Sequence, residues 1–145
     1  MEKLLVAFDY SDSAYNAIKL AIKLAKKFKS KIWLLNIVDP NPDFVGYKVG
    51  PKTVREQVAT ELHDQHKKLQ EVANELKQDY SDIIALTLQG AIVETILSQS
   101  EKLDVDLILV GTQGKGKLRS VLVGSTSEDV VVHTKRPVLV CHNAK

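Results

Sequence analysis

Five short apolar runs recur along this chain, and a segment with helical period lies between each pair. That alternation constrains the fold more than any single residue does. The runs are KLLVAF at 3–8, KIWLLNIV at 31–38, IIALTL at 83–88, DLILV at 106–110 and PVLVC at 137–141. Each is nearly continuous in Val, Ile and Leu, as strands buried on both faces of a parallel sheet are. The segment 12–28 sets Ala14, Ala17, Ile18, Ala21, Leu24, Ala25 and Phe28 on one stripe and leaves Lys19, Lys23, Lys26 and Lys27 outside it, which predicts an amphipathic helix. Residues 54–79 repeat the pattern with Val54, Val58, Leu62, Leu69, Val72 and Leu76, and 91–103 do so with Ile92, Ile96, Leu97 and Leu103. A fourth helix is expected over 125–134. VVV at 130–132 has strand propensity, but Ser125 to Glu128 spells S-x-x-E, a capping box that satisfies orphan N–H groups at a helix start.

Strands alternating with crossover helices predict a single α/β domain over 1–145, an open parallel five-stranded sheet with helices on both faces. The expected strand order is 3-2-1-4-5, reversing between the first and fourth strands. Ligands of such sheets sit beyond the carboxyl ends of the strands at the reversal, so the turns after Phe8 and Val110 are the place to look. A length of 145 residues suits one core and not two. The segment DPNPDFVGYKVGPKT, 39–53, holds three of the four prolines and reads as a long irregular loop on the same side, which is expected to be a lid, a binding loop or disordered.

With 20 basic and 18 acidic residues, net charge marks no dedicated nucleic-acid binder, so any basic site must be local. Cys141 is the single cysteine, which excludes an internal disulfide and suits a reducing compartment. The start MEKLLVAFDY is neither a signal peptide nor an anchor, and no run approaches the roughly 20 apolar residues of a spanning helix. A cytoplasmic protein with no membrane and no nucleic-acid partner is the expectation.

Four of the seven glycines fall in GTQGKGKLRSVLVGSTSE, 111–128. The P-loop pattern G-x-x-x-x-G-K-[ST] is met by Gly111, Gly116 and Lys117 and then fails at Leu118, where a hydroxyl should hold magnesium. The dinucleotide fingerprint G-x-G-x-x-G is absent, since the glycines fall as G-x-x-G-x-G. What remains is a strand, Gly111-x-x-Gly114, nine residues, then Gly124-Ser125 at a helix start. Such glycines let backbone N–H groups approach a ligand, and a helix N-terminus favours an anion. Lys115, Lys117 and Arg119 lie between, so the segment has the parts to surround a triphosphate; a plain turn followed by a capped helix is the simpler alternative.

The spacing G-x2-G-x9-G-[ST] resembles that of the universal stress protein family, in particular its ATP-binding branch. The likeness runs through LLVAFDYSDSA, LLNIVDP, DLILVGTQG and LVGSTSEDVVVHTKRPVLV. Gln113 stands where the family often has His or Arg, and Ile92 where it often has Pro. The resemblance implies adenine near Ala7, Phe8, Asp9 and Val38. It implies ribose and phosphates, with magnesium accompanying ATP, along Val110, Gly111, Gly114, Gly124, Ser125, Thr126 and Ser127, and the loop charges of Lys115 and Lys117 are expected to join them. It also implies a homodimer through the fifth strand at Val138, Leu139 and Val140.

Other features read more plainly. Asp9 is either a turn carboxylate or a ribose or magnesium ligand. His63 and His66 flank Asp64 with no further ligand pattern, so a solvated helix face is the simpler reading. Cys141 reads as a small buried hydrophobe, and no G-x-S-x-G elbow supports a serine hydrolase. Three functions follow in order: a nucleotide-dependent regulatory or stress-response homodimer without dedicated catalytic residues; a slow ATPase, with only Asp9, Glu128 and Asp129 as nearby carboxylates; and a non-nucleotide interaction module of the same fold.

Overall fold

A computed structural model describes residues 1–39, 51–112 and 125–143, with side chains from 55 in the second segment and from 126 in the third. The elements follow one another as β1 (Lys3–Ala7), α1 (Asp12–Phe28), β2 (Lys31–Val38), α2 (Pro51–Leu76), β3 (Ile83–Gln89), α3 (Ile92–Lys102), β4 (Leu107–Gly111), α4 (Ser125–His133) and β5 (Val138–Cys141). The strands form one sheet in the order β3-β2-β1-β4-β5, every pair parallel. Fold class and strand order are those expected from the alternation of runs.

Two apolar layers sandwich the sheet because each strand is apolar at both alternating sets of positions. Leu4, Val6 and Phe8 with Ile32, Leu34, Leu107 and Leu109 face α1 and α2, meeting Ala17, Ile18, Ala21, Leu69 and Ala73. Leu5, Leu35, Ile108 and Val110 face the other way, toward Ile96 of α3 and Val130 of α4. The helix α1 is held at both ends. Ser11 caps it by accepting from the Ala14 N–H at 3.2 Å, and Lys29 closes it in the left-handed conformation at φ 57° with its N–H on the Ala25 carbonyl.

Some boundaries differ from expectation. The helix α2 begins at Pro51, so 51–53 leave the loop assigned to them; proline at the first helical position needs no N–H partner and favours that start. Phe28, placed on the buried stripe by its spacing, is 52% exposed. It is the last residue of α1, where periodicity no longer guarantees cover. The VVV of 130–132 is helical, and only Val130 of the three is buried. Ser125 is itself the first helical residue of α4, and its hydroxyl, on which the capping box depends, lies outside the described side chains.

Candidate functional site

The carboxyl ends of β1 and β4 lie side by side where the strand order reverses. The register that sets Val6 against Leu109 brings Ala7 level with Val110, so the first and fourth turns leave the sheet next to each other. Ala7, Phe8, Asp9, Val110 and Gly111 therefore occupy one edge, and Val38 ends the neighbouring strand on the same edge. Helix α4 follows β4 and starts at this edge, with Thr126 and Ser127 in its first turn; Ser127 is buried and Thr126 half-buried. Gly114, Lys115, Lys117 and Gly124 lie outside the described residues, as does the Ser125 side chain.

The turn after β1 is built from its own side chains. Asp9 accepts through Oδ1 from the Ser11 N–H at 3.0 Å and from the Ser11 hydroxyl, an Asx-type turn. Between them Tyr10 takes a left-handed φ of 66°, uncommon for a bulky residue. Its ring meets Phe8 edge-on at 4.9 Å and the Lys68 ammonium of α2 sits 4.1 Å over it, while Phe8 in turn meets Tyr15 at 4.9 Å. Burial, with a smaller contribution from Tyr15, pushes the Tyr10 phenol above its ordinary range. The Asp9 carboxylate thus forms the turn through Oδ1.

Three residues that sequence reasoning passed over shape the edge. Asn36, buried on β2, donates its side-chain amide to the Phe8 carbonyl at 2.9 Å, one step past the last paired position of β1. The Phe8 N–H reaches the Leu35 carbonyl at 2.7 Å, so the chain leaving β1 is held on both its groups. Thr112, also buried, extends the other side by donating its N–H to the Cys141 carbonyl at 2.9 Å. Ser13 decides what stands at 111. A Cβ there would lie 2.3 Å from Ser13 Oγ, 2.9 Å from Ser13 Cβ and 3.0 Å from the Ala14 nitrogen. Gly111 is therefore required by the first turn of α1 pressing on the end of β4, whatever else approaches it. A polar residue in an apolar run, such as Asn36 within KIWLLNIV, was the one available signal.

Two helix N-termini face this edge, and they differ in charge. That of α1 has its own cap in Ser11 and carries Asp9 and Asp12 around it, which repel an anion. That of α4 follows the segment with Lys115, Lys117 and Arg119, and its dipole favours one. Among the described residues no three His, Cys, Asp or Glu side chains come together as a metal site, and no helix is long and apolar enough to cross a membrane. Cys141 is buried, and burial pushes its thiol up, the reverse of what a nucleophile needs.

A doubly wound parallel sheet whose first and fourth turns open on one edge defines a class of small α/β proteins that take ligands there. Residues 1–142 match the model of the universal stress protein family, and the chain belongs to that family. It is 32% identical to universal stress protein MJ0531 of Methanocaldococcus jannaschii, over 99% of this chain and 84% of that protein. It is 30% identical to a universal stress protein of Thermus aquaticus, over 94% of this chain and 96% of that one. Among solved structures, that of the hypothetical protein MJ0577 superposes with a TM-score of 0.80 at 25% identity, covering 99% of this chain and 97% of that one. The universal stress protein UspA of Lactobacillus plantarum does so at 0.79 and 23%, with 97% of each chain covered.

Proposed function

We propose that this protein binds an adenine nucleotide, ATP foremost, at the carboxyl edge between β1 and β4, and acts as a nucleotide-dependent regulatory homodimer. The observation that carries the reading is the asymmetry of the two helix N-termini. The one beside Asp9 is self-capped and acidic, and the one at the end of G-x2-G-x9-G-S follows three basic residues. Phosphates belong on the α4 side, with Gly114, Lys115, Lys117, Gly124, Ser125, Thr126 and Ser127, and the base on the Ala7–Asp9 and Val38 side. Magnesium arrives with the triphosphate in this reading, held mainly by its oxygens, because the described residues supply no three-ligand cluster. Related folds support the ligand class. One universal stress protein has been solved with cAMP, with a TM-score of 0.68 and 22% identity, and another, from Archaeoglobus fulgidus, with dAMP, at 0.65 and 17%.

Regulation rather than turnover is favoured because Asp9, the carboxylate that follows β1, holds the Ser11 turn through its Oδ1. The buried thiol of Cys141 suits a cytoplasmic setting. The test is to denature freshly purified protein and identify any released nucleotide by mass. The emptied protein is then titrated with ATP, ADP, AMP and cAMP, with and without magnesium. Co-purified ATP or micromolar ATP binding that Gly124→Val abolishes is the expected result. Binding of none of the four leaves a capped helix after a glycine turn, and favours the interaction module. Steady hydrolysis that Asp9→Asn stops favours the ATPase.

A further inference from the structure

Residues 13–30 hold five of the chain's 20 basic residues and none of its 18 acidic ones, so the remainder is acidic on balance and the charge is segregated. Helix α1 turns its apolar stripe to the sheet, and Lys19, Lys23, Lys26, Lys27 and Lys29 are all exposed. Spacings of four, three and one set Lys19, Lys23, Lys26 and Lys27 on one side of the helix. With Lys29 they span about 15 Å. Tyr15, 36% exposed, stands one turn before Lys19 on the same side, and Phe28, 52% exposed, ends the helix. Among the described residues, Lys26 alone of the five makes an ion pair, with Asp79 of the turn after α2. Nothing in the nucleotide reading uses this face, which lies on the opposite side of the sheet from α3 and α4.

We infer that the outer face of α1 is an electrostatic docking surface for an anionic lipid membrane. Three features favour lipid over other anions. All five residues are lysines, and a phosphate-reading surface on nucleic acid is usually built with arginine forks. The lysine stems are long and mostly unpaired, so no fixed geometry is offered to a rigid acidic protein, whereas lipid headgroups move laterally and gather under them. Tyr15, on the same side as the lysines and 36% exposed, adds an aromatic ring of the kind found at the headgroup level. The mode is adsorption and not spanning, so it departs from the expectation of no membrane partner, which rested on the absence of an apolar span. Each lysine near an anionic surface contributes about a fivefold gain in partitioning, and the attraction decays within a Debye length.

The experiment is sedimentation of the full-length protein with vesicles of phosphatidylcholine alone or mixed equally with phosphatidylglycerol. Binding to the anionic vesicles only, lost as salt rises, is expected. The variant carrying Lys19→Gln, Lys23→Gln and Lys27→Gln should bind about a hundredfold less, and Lys19→Glu, Lys23→Glu and Lys27→Glu should bind more weakly still, because the reversed charges are repelled by the anionic surface. Circular dichroism confirms that both variants are folded. Equal binding to neutral vesicles overturns the inference, as do full binding by both variants, or capture of duplex DNA at a salt concentration where the vesicles are ignored. Nucleotide titrations of the same variants should be unchanged, so this surface and the nucleotide site stand or fall separately.

Discussion

At the scale of single residues, Gly111 carries two demands that are usually told apart. A glycine in a ligand loop serves the ligand; here the first neighbour is the protein itself, in Ser13 and the Ala14 nitrogen. Gly111→Ala should therefore destabilise the apo protein by about 1–3 kcal/mol, the usual cost of forcing a methyl group into a packed interior. Urea denaturation in the absence of nucleotide measures it. Adding Ser13→Gly removes the two nearest contacts and should recover part of the loss. An unchanged midpoint in the single variant would leave Gly111 with only a ligand to explain it. That a glycine is needed at the end of the fourth strand was legible in the sequence, but its neighbour was not. Ser13 lies in a distant segment, and only the crossover of α1 over β4 brings it there. Asn36 and the Phe8 carbonyl are hidden for the same reason, since a strand register cannot be read from either strand alone.

At the scale of elements, the strands were legible because β1 and β4 are buried on both faces, and the half-buried outer strands β3 and β5 still read as nearly unbroken apolar runs. The helices were legible from their stripes. What failed were the ends, Phe28 and the start of α2, where periodicity gives way to caps and to the reach of the neighbouring element. Strand starts are tied together by a carboxylate that no pattern announces. Asp106, just before β4, accepts from the Lys3 N–H at 2.9 Å and the Glu2 N–H at 2.6 Å at the entry to β1. Those two bonds, the Lys3 one foremost, hold its pKa below the ordinary aspartate value. A pKa depressed in the folded state gives stability that is present above the unfolded value near 4 and is lost as pH falls through the folded one. The group is largely exposed, so solvent discounts the effect to no more than about 1 kcal/mol. Asp106→Asn should lower stability slightly at pH 7 and make the acid limb of the unfolding curve shallower below about pH 4. Thermal melts across that range are the check, and parallel acid limbs in the two proteins would refute the role.

At the scale of the whole molecule, the sheet has two edges and they are not alike. Helix α2 packs against β3, with Leu69, Ala73 and Ile83 in one core. Strand β5 pairs with β4 on one side and with no described strand on the other, and its Val138, Leu139 and Val140 are only half-buried. Beside it, α4 shows Val131 at 49% and Val132 at 68% exposure. An edge that no described strand covers, next to exposed valines, is where the proposed homodimer would place its second copy. Val132→Lys together with Val138→Lys should therefore turn a dimer into a monomer by sedimentation velocity, and a wild-type chain that stays monomeric at about 100 μM would sink the homodimer reading. The same helix makes a stronger claim testable. The first turn of α4 lies at the proposed phosphate side and its last turns carry the exposed valines, about 10 Å from the helix start. A nucleotide that orders the start of so short a helix also fixes its end. If ATP tightens the dimer by some factor, dimerisation must tighten ATP by the same factor. Measuring the dimer dissociation constant with and without ATP, and the ATP affinity above and below that constant, should return one number twice. Equal dimer constants in the two conditions would make the site a passive store of nucleotide and the regulatory reading untenable.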